Sequence, residues 1–249
     1  MRLTPCLALL LVVMLPALAR AQTLTVSAAA SLAPVLKVLA PRFEADQPGV
    51  ALRFNFAASG VLLQQLRQGA PVDVFASADQ ETVTRGMAQK LLDGNTARDF
   101  ARNSVVLVVP AQGGPALRTL ADLTGPGVKR IAGGKVATVP VGRYAREALD
   151  ASQLWPVLAP KWVDCDTVRQ VLDYVARGEV EAGFVYRTDA LSAADKVRMV
   201  LTVGDHTPVR YPVVVVSDSR QKALARDFIA FLTAPPAQDV LARHGFEKP

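Results

Sequence analysis

The chain has 249 residues, 51% hydrophobic and 20% charged, with a formal net charge of +6. Its lysines and arginines are spread without a dense basic run, which argues against a nucleic-acid binder, since such proteins gather cations into a patch. The length suits two modest domains or one large one.

The N-terminus reads as a targeting segment. Arg2 supplies a positive start, Cys6 to Leu15 is almost wholly apolar, and Ala19-Arg20-Ala21 offers the small residues of a cleavage site. The apolar run is too short to span a bilayer comfortably. We therefore expect a signal peptide over residues 1–21 and an exported, soluble mature chain beginning at Gln22. Loss of Arg2 and Arg20 lowers the formal charge from +6 to +4. Cys6 leaves with the signal, so Cys165 stands alone, cannot form an intramolecular disulfide, and is expected to be a semi-buried structural residue.

Apolar runs then alternate with helical patterns, the sign of an α/β protein. A strand near Leu24 leads into a helix from Leu32 to about Glu44, with Leu32, Val35, Leu36, Leu39, Ala40 and Phe43 on one face. Val50 to Phe56 reads as a strand, followed by a short helix that Gly69 closes. Val72 to Ala76 is a third strand, and Asp79 begins another helix. Ser104 to Pro110 is a continuous apolar run, expected to be a strand buried on both faces. Strands are expected at Arg130–Ala132 and Lys135–Val139, then a helix from about Gly142 to Ser152. Thr167 to Ala176 is an amphipathic helix ended by Gly178, and Ala182 to Tyr186 is the next strand. Tyr211 to Val216 is the last, before two helical stretches separated at Pro235-Pro236. No repeat and no low-complexity linker is visible, so two domains here must be interleaved. The natural crossings are Ser104 and Gly204-Asp205.

Hydrolytic or metal chemistry has little to stand on. His206 and His244 belong to no cluster with metal-ligand spacing, and no Gly-x-Ser-x-Gly elbow, phosphate-binding loop or dinucleotide fingerprint is present. The expectation is no catalytic residue, no bare metal-ion site and no cofactor. Gly113-Gly114 and Gly133-Gly134 read as turns.

A different signal recurs. Leu24-Thr25-Val26-Ser27-Ala28-Ala29-Ala30-Ser31 and Leu52-Arg53-Phe54-Asn55-Phe56-Ala57-Ala58-Ser59 each run a strand into small residues and a serine that opens a helix. Such turns present a hydroxyl and unpaired amides at the positive end of a helix dipole, a site for an anion. Thr138 to Tyr144 and Asp166 to Arg169 open two more helices in the same way. Arg143 is expected to pair with Glu147 at i,i+4.

Taken together these segments resemble the periplasmic molybdate-binding (ModA) family of ABC importers. The resemblance is carried by Ala28 to Leu32, Phe56 to Ser59, Gly69 to Phe75 with Ser77 to Asp79, Val139 to Ala145, Val168-Arg169, Gly183 to Tyr186 with Asp189-Ala190, Tyr211 to Val213 and Gly245-Phe246. It implies an α/β fold of the two-lobe periplasmic binding protein type (type II), with interleaved domains and a ligand cleft between them. Lobe I would hold residues 22–102 plus 205–249, and lobe II residues 103–204. It implies molybdate or tungstate as ligand, bound by Ser31, Ser59, Val141, Val168 and Tyr186. The protein would be a periplasmic monomer that delivers its oxyanion to a membrane permease and, through it, an ATPase. Two positions depart from the family's habit: Val141 where alanine is frequent, and Thr167 where Asp or Asn is frequent. The alternatives on the same fold are binders of sulfate, thiosulfate or phosphate; an α/β hydrolase lacks a nucleophile with a base.

Overall fold

The computed structural model describes residues 22–249; the expected signal peptide lies outside the described residues. The first run of elements is β1 (Gln22–Ala29), α1 (Ala33–Asp46), β2 (Val50–Ala57), α2 (Ser59–Arg67), β3 (Val74–Ala76), α3 (Gln80–Ala88) and β4 (Arg98–Asn103). A second run follows: β5 (Val105–Pro110), β6 (Ile131–Gly134), α4 (Pro140–Ala151), α5 (Trp155–Leu158), β7 (Trp162–Cys165), α6 (Val168–Ala176), β8 (Ala182–Tyr186), α7 (Arg187–Leu191) and β9 (Val197–Thr202). The chain closes with β10 (Val209–Val215), α8 (Lys222–Thr233) and α9 (Pro235–Arg243).

These strands form two five-stranded sheets of similar build. One has the order β2-β1-β3-β10-β4, the other β7-β6-β8-β5-β9. In each, three strands run parallel and are followed by helices, while two more pair antiparallel at one side. The chain passes from the first sheet to the second between Asn103 and Val105, and returns between Thr202 and Val209. Ligand sites in open α/β sheets lie outside the carboxyl ends of the parallel strands. Here those ends are Ala29, Ala57, Ala76, Gly134, Cys165 and Tyr186.

The helices follow their apolar faces. Val35, Leu36, Leu39 and Phe43 of α1 are buried, and Phe43 meets Phe228 of α8 edge-on at 5.1 Å. Pro34 occupies the first turn of α1, where its missing N–H costs no hydrogen bond. Asp79 caps α3 by accepting from the Thr82 amide, and Thr167 caps α6 by accepting from Gln170. Cys165 is fully buried, and burial pushes its thiol up to about 12, so it stays protonated and inert.

Two local expectations change. Lys135–Val139 is a turn, closed by the Thr138 and Val139 amides donating to the Lys135 carbonyl at 3.0 and 2.8 Å. Its β-branched residues favour a strand, but β6 ends at Gly134 and the chain must turn at once into α4. Gly133 and Gly134 are not a turn; they lie buried within β6. A Cβ on Gly133 would fall 1.8 Å from the Trp162 ring, so a side chain is excluded by close packing rather than by φ. The strands β4, β7 and β9 carry mixed polar residues and gave no clear apolar pattern.

Candidate functional site

The strand ends of both sheets converge on one small pocket. Its wall contains all five residues singled out from the sequence: Ser31 and Ser59 from one sheet, Val141, Val168 and Tyr186 from the other. The remaining wall is alanine, with Val139 and Pro140. No charged side chain lines it, and its cavity of about 10 Å³ falls far below the ~300–1,000 Å³ of pockets for drug-sized ligands. So narrow a space leaves no room for a sugar or peptide.

The serines do not act as the helix caps their positions suggested. Ser31 sits in a 3-10 turn (Ala30–Leu32) before α1, and Ser59 is the first residue of α2; neither helix start has a side-chain cap. Instead each serine oxygen is held by another donor. The Ala78 amide donates to Ser59 Oγ at 3.0 Å. Ser31 Oγ lies 3.1 Å from the Tyr211 hydroxyl. The Ser104 amide donates to Asn103 Oδ1, which fixes that side chain so that Nδ2 donates to the Tyr211 hydroxyl at 3.3 Å and to Thr188 Oγ1 at 2.9 Å. Burial holds the Tyr211 phenol far above its usual range, so it keeps its proton. Among the described residues that proton's acceptor is Ser31 Oγ. Both serine hydroxyls therefore receive a hydrogen bond from the protein and keep their own proton for the pocket.

The amides come from helix starts. The first-turn N–H groups of an α-helix have no intrahelical acceptor. Ser59 and Val168 are the first residues of α2 and α6. Pro140 begins α4 and has no N–H, so Val141 carries the first amide there. Gly142 packs α4 onto the end of β6: a Cβ would fall 2.0 Å from the Gly134 carbonyl oxygen. This contact sets Val141 at the pocket wall.

Tyr186 ends β8 with its ring 99% buried, and among the described residues its hydroxyl has no hydrogen-bond partner. A buried unpaired hydroxyl costs about 1–3 kcal/mol. Burial raises the phenol well above its ordinary range, so it stays a donor. An orphaned donor aimed into an uncharged pocket is the mark of a ligand that accepts.

Two arginines cross the cleft beside the pocket. Arg143 of α4 pairs with Asp79, lies 3.2 Å from Glu81 Oε2, and donates to Thr82 Oγ1 at 3.2 Å. The local pairing with Glu147 does not form; Glu147 accepts from the Thr207 amide instead, at 2.7 Å. Asp79 is nearly buried and offers a stronger partner than a solvated carboxylate on the same helix. Nearby, the Gly60 amide donates to the Thr138 carbonyl at 3.0 Å and the Tyr144 hydroxyl to the Ala78 carbonyl at 3.3 Å. Arg169 of α6 reaches the other way, toward the Ala30 and Ser31 carbonyls. Asn103, Tyr211, Asp79, Arg169 and Asp189 were not assigned roles by the sequence. Their signal is tertiary, because each acts on a partner far along the chain. Among the described residues no group of three metal-binding side chains occurs and no helix is long and apolar enough to cross a membrane.

The sequence pattern of the bacterial extracellular solute-binding proteins matches residues 24–247. The molybdate-binding protein ModA of Mycobacterium tuberculosis is 38% identical, over 92% of this chain and 86% of its own. ModA of Escherichia coli is 35% identical, over 92% of this chain and 91% of its own. The solved periplasmic molybdate-binding protein of Azotobacter vinelandii superposes with a TM-score of 0.78, over 91% of this chain and 99% of its own; at 24% identity that likeness speaks for the fold.

Proposed function

Because this chain belongs to the ModA family of bacterial extracellular solute-binding proteins, we propose that it captures molybdate, and tungstate with it, and hands the oxyanion to the permease of an ABC importer. The observation that carries this reading is a pocket with no charged side chain on its wall, lined by Ser31, Ser59 and a buried Tyr186 whose hydroxyl has no protein partner among the described residues. Molybdate near neutral pH is a fully deprotonated tetrahedral dianion whose oxygens can only accept. Ser31 and Ser59 donate through hydroxyl and amide, Val141 and Val168 through their amides, and Tyr186 through its phenol. Several helix starts, each carrying roughly half a positive charge, face the dianion. Neutral donors also avoid leaving an unpaired cation buried in the empty site. A singly protonated oxyanion such as hydrogen phosphate would favour an acceptor for its proton, and no carboxylate lines this wall.

The sheet composition supports two lobes, 22–102 plus 205–249 and 103–204, hinged at the two chain crossings. The contacts of Arg143, Tyr144 and Gly60 across the cleft correspond to the closed form, with the lobes opening to admit the ligand. No bond is made or broken in this cycle, and the chain works as a monomer without a cofactor. It would act in the periplasm, a location the N-terminal signal reading supports.

Thermal unfolding of residues 22–249 with molybdate, tungstate, sulfate or phosphate tests the assignment. A ligand at a hundred times its Kd adds about 2.7 kcal/mol, which for this length raises the midpoint by roughly 5–10 °C. Molybdate and tungstate should give that rise. A rise with sulfate or phosphate alone would transfer the protein to another oxyanion.

A further inference from the structure

Arg169 stands one residue beyond Val168, yet it does not line the oxyanion pocket. Its guanidinium is spread over two lobes. Within its own lobe, Nη2 lies 3.1 Å from Asp189 Oδ1 and Nη1 donates to Ser192 Oγ at 3.1 Å. Across the cleft, Nε and Nη2 each lie 3.5 Å from a carbonyl oxygen, those of Ala30 and Ser31 respectively. Asp189 is completely buried, and its other oxygen accepts the Tyr186 amide at 3.2 Å, closing the first turn of α7. One carboxylate thus holds both the backbone of Tyr186 and the arginine that touches Ser31.

The peptide geometry gives this contact a consequence. The Ala30 carbonyl and the Ser31 N–H are opposite ends of one planar unit. The Ala30 oxygen already accepts the Ala33 N–H within the 3-10 turn; a cation on the same oxygen adds a second restraint on where the Ser31 N–H points and polarises that N–H toward a better donor. A planar, forked guanidinium can meet a carboxylate on one side and carbonyls on the other, which an ammonium cannot. The contact crosses between the two sheets, so it exists only when the lobes are together.

We propose that Arg169, held by Asp189, is a positioning residue that aims the Ser31 amide at the bound oxyanion and ties the donors of one lobe to those of the other on closure. This rests on the oxyanion-binding reading of the same pocket. Arg169 acts through the Ala30–Ser31 peptide and Asp189 through Arg169; neither touches the ligand.

The test uses residues 22–249 with molybdate, tungstate and sulfate as probes, measuring Kd by calorimetry and the Ser31 amide proton by ¹⁵N-resolved NMR. Arg169→Gln should weaken binding roughly 10-fold for whichever probe the wild type binds, by the same factor for each. The Ser31 amide proton should move upfield in the liganded spectrum and stay unmoved in the ligand-free one. Arg169→Lys keeps the charge but not the fork, and should recover only part of the affinity and little of the Ser31 shift; it also decides the matter if the glutamine variant does not fold. Affinity within twofold of wild type, or a Ser31 amide indifferent to Arg169 in the liganded protein, overturns the proposal. If the wild type binds sulfate and ignores molybdate, the molybdate reading falls while the variants still judge Arg169 with sulfate. A wild type that binds none of the three overturns both.

Discussion

The two sides of the cleft are each bridged by an arginine from the first turn of a helix, and they solve the same problem differently. Arg143 meets carboxylates, Asp79 and Glu81, and is neutralised by charge. Arg169 has Asp189 behind it and meets only backbone carbonyls on the far lobe. Neither guanidinium enters the pocket between them. Cations can thus flank an anion site without joining it, each turned aside by a partner stronger than water. The Arg143 side acts as a clasp between lobes, whereas the Arg169 side touches the backbone that carries a donor.

The severest way to break the Arg143 side is steric. A Cβ on Gly60 would fall 2.7 Å from the Thr138 carbonyl oxygen and 2.8 Å from its Cα, both backbone atoms of the opposite lobe. Gly60→Ala should therefore oppose closure, weakening molybdate binding more than about 100-fold, while the ligand-free midpoint stays within a few degrees; calorimetry and thermal unfolding check both. Arg143→Gln removes the clasp's charge and leaves nearly buried Asp79 with only Ser77 and the Thr82 amide. We expect a loss of about 30-fold, expressed mainly as faster dissociation in stopped-flow measurements. Tyr186→Phe touches neither side and serves as their control. It should cost at least about 10-fold in affinity, since a hydrogen bond to a charged group contributes ~1.5–3 kcal/mol, and it should not lower ligand-free stability, because the hydroxyl has no protein partner among the described residues.

The mildest outcome sharpens the Arg169 side and is read in stability. Burial pushes the Asp189 carboxyl up to about 6 from its usual 3.8, opposed by Arg169 and the Tyr186 amide. A raised acid binds its proton more tightly when folded. Its contribution is then fully present below about pH 4 and lost as pH rises through about 6. The midpoint of the ligand-free wild type should thus fall relative to Asp189→Asn by several degrees between about pH 4 and about pH 7. Parallel curves would show that Arg169 holds Asp189 ionised throughout.

The strand-to-helix turns at Ser31 and Ser59 were legible because small residues, a hydroxyl and an apolar strand sit consecutively, and local chemistry writes local structure. The same holds for Thr167 at the start of α6 and for the buried run of β5. The strands β4, β7 and β9 were not legible, since they are held by neighbours in the sheet rather than by their own pattern. Tyr211 read as one more residue of an apolar strand. Its role in turning the Ser31 proton toward the pocket depends on Asn103, 108 positions away.

The residue types at the strand-to-helix turns, the helix starts and the family resemblance could be read along the chain, because each is a property of contiguous residues. That Ser31, Ser59, Val141, Val168 and Tyr186 line one pocket, that the serine oxygens accept from behind, and that Arg143 prefers Asp79 to Glu147 emerge only from the fold. Those outcomes turn on which buried groups lie within about 3 Å of one another. That distance is set by packing two sheets together, and no spacing along the chain encodes it.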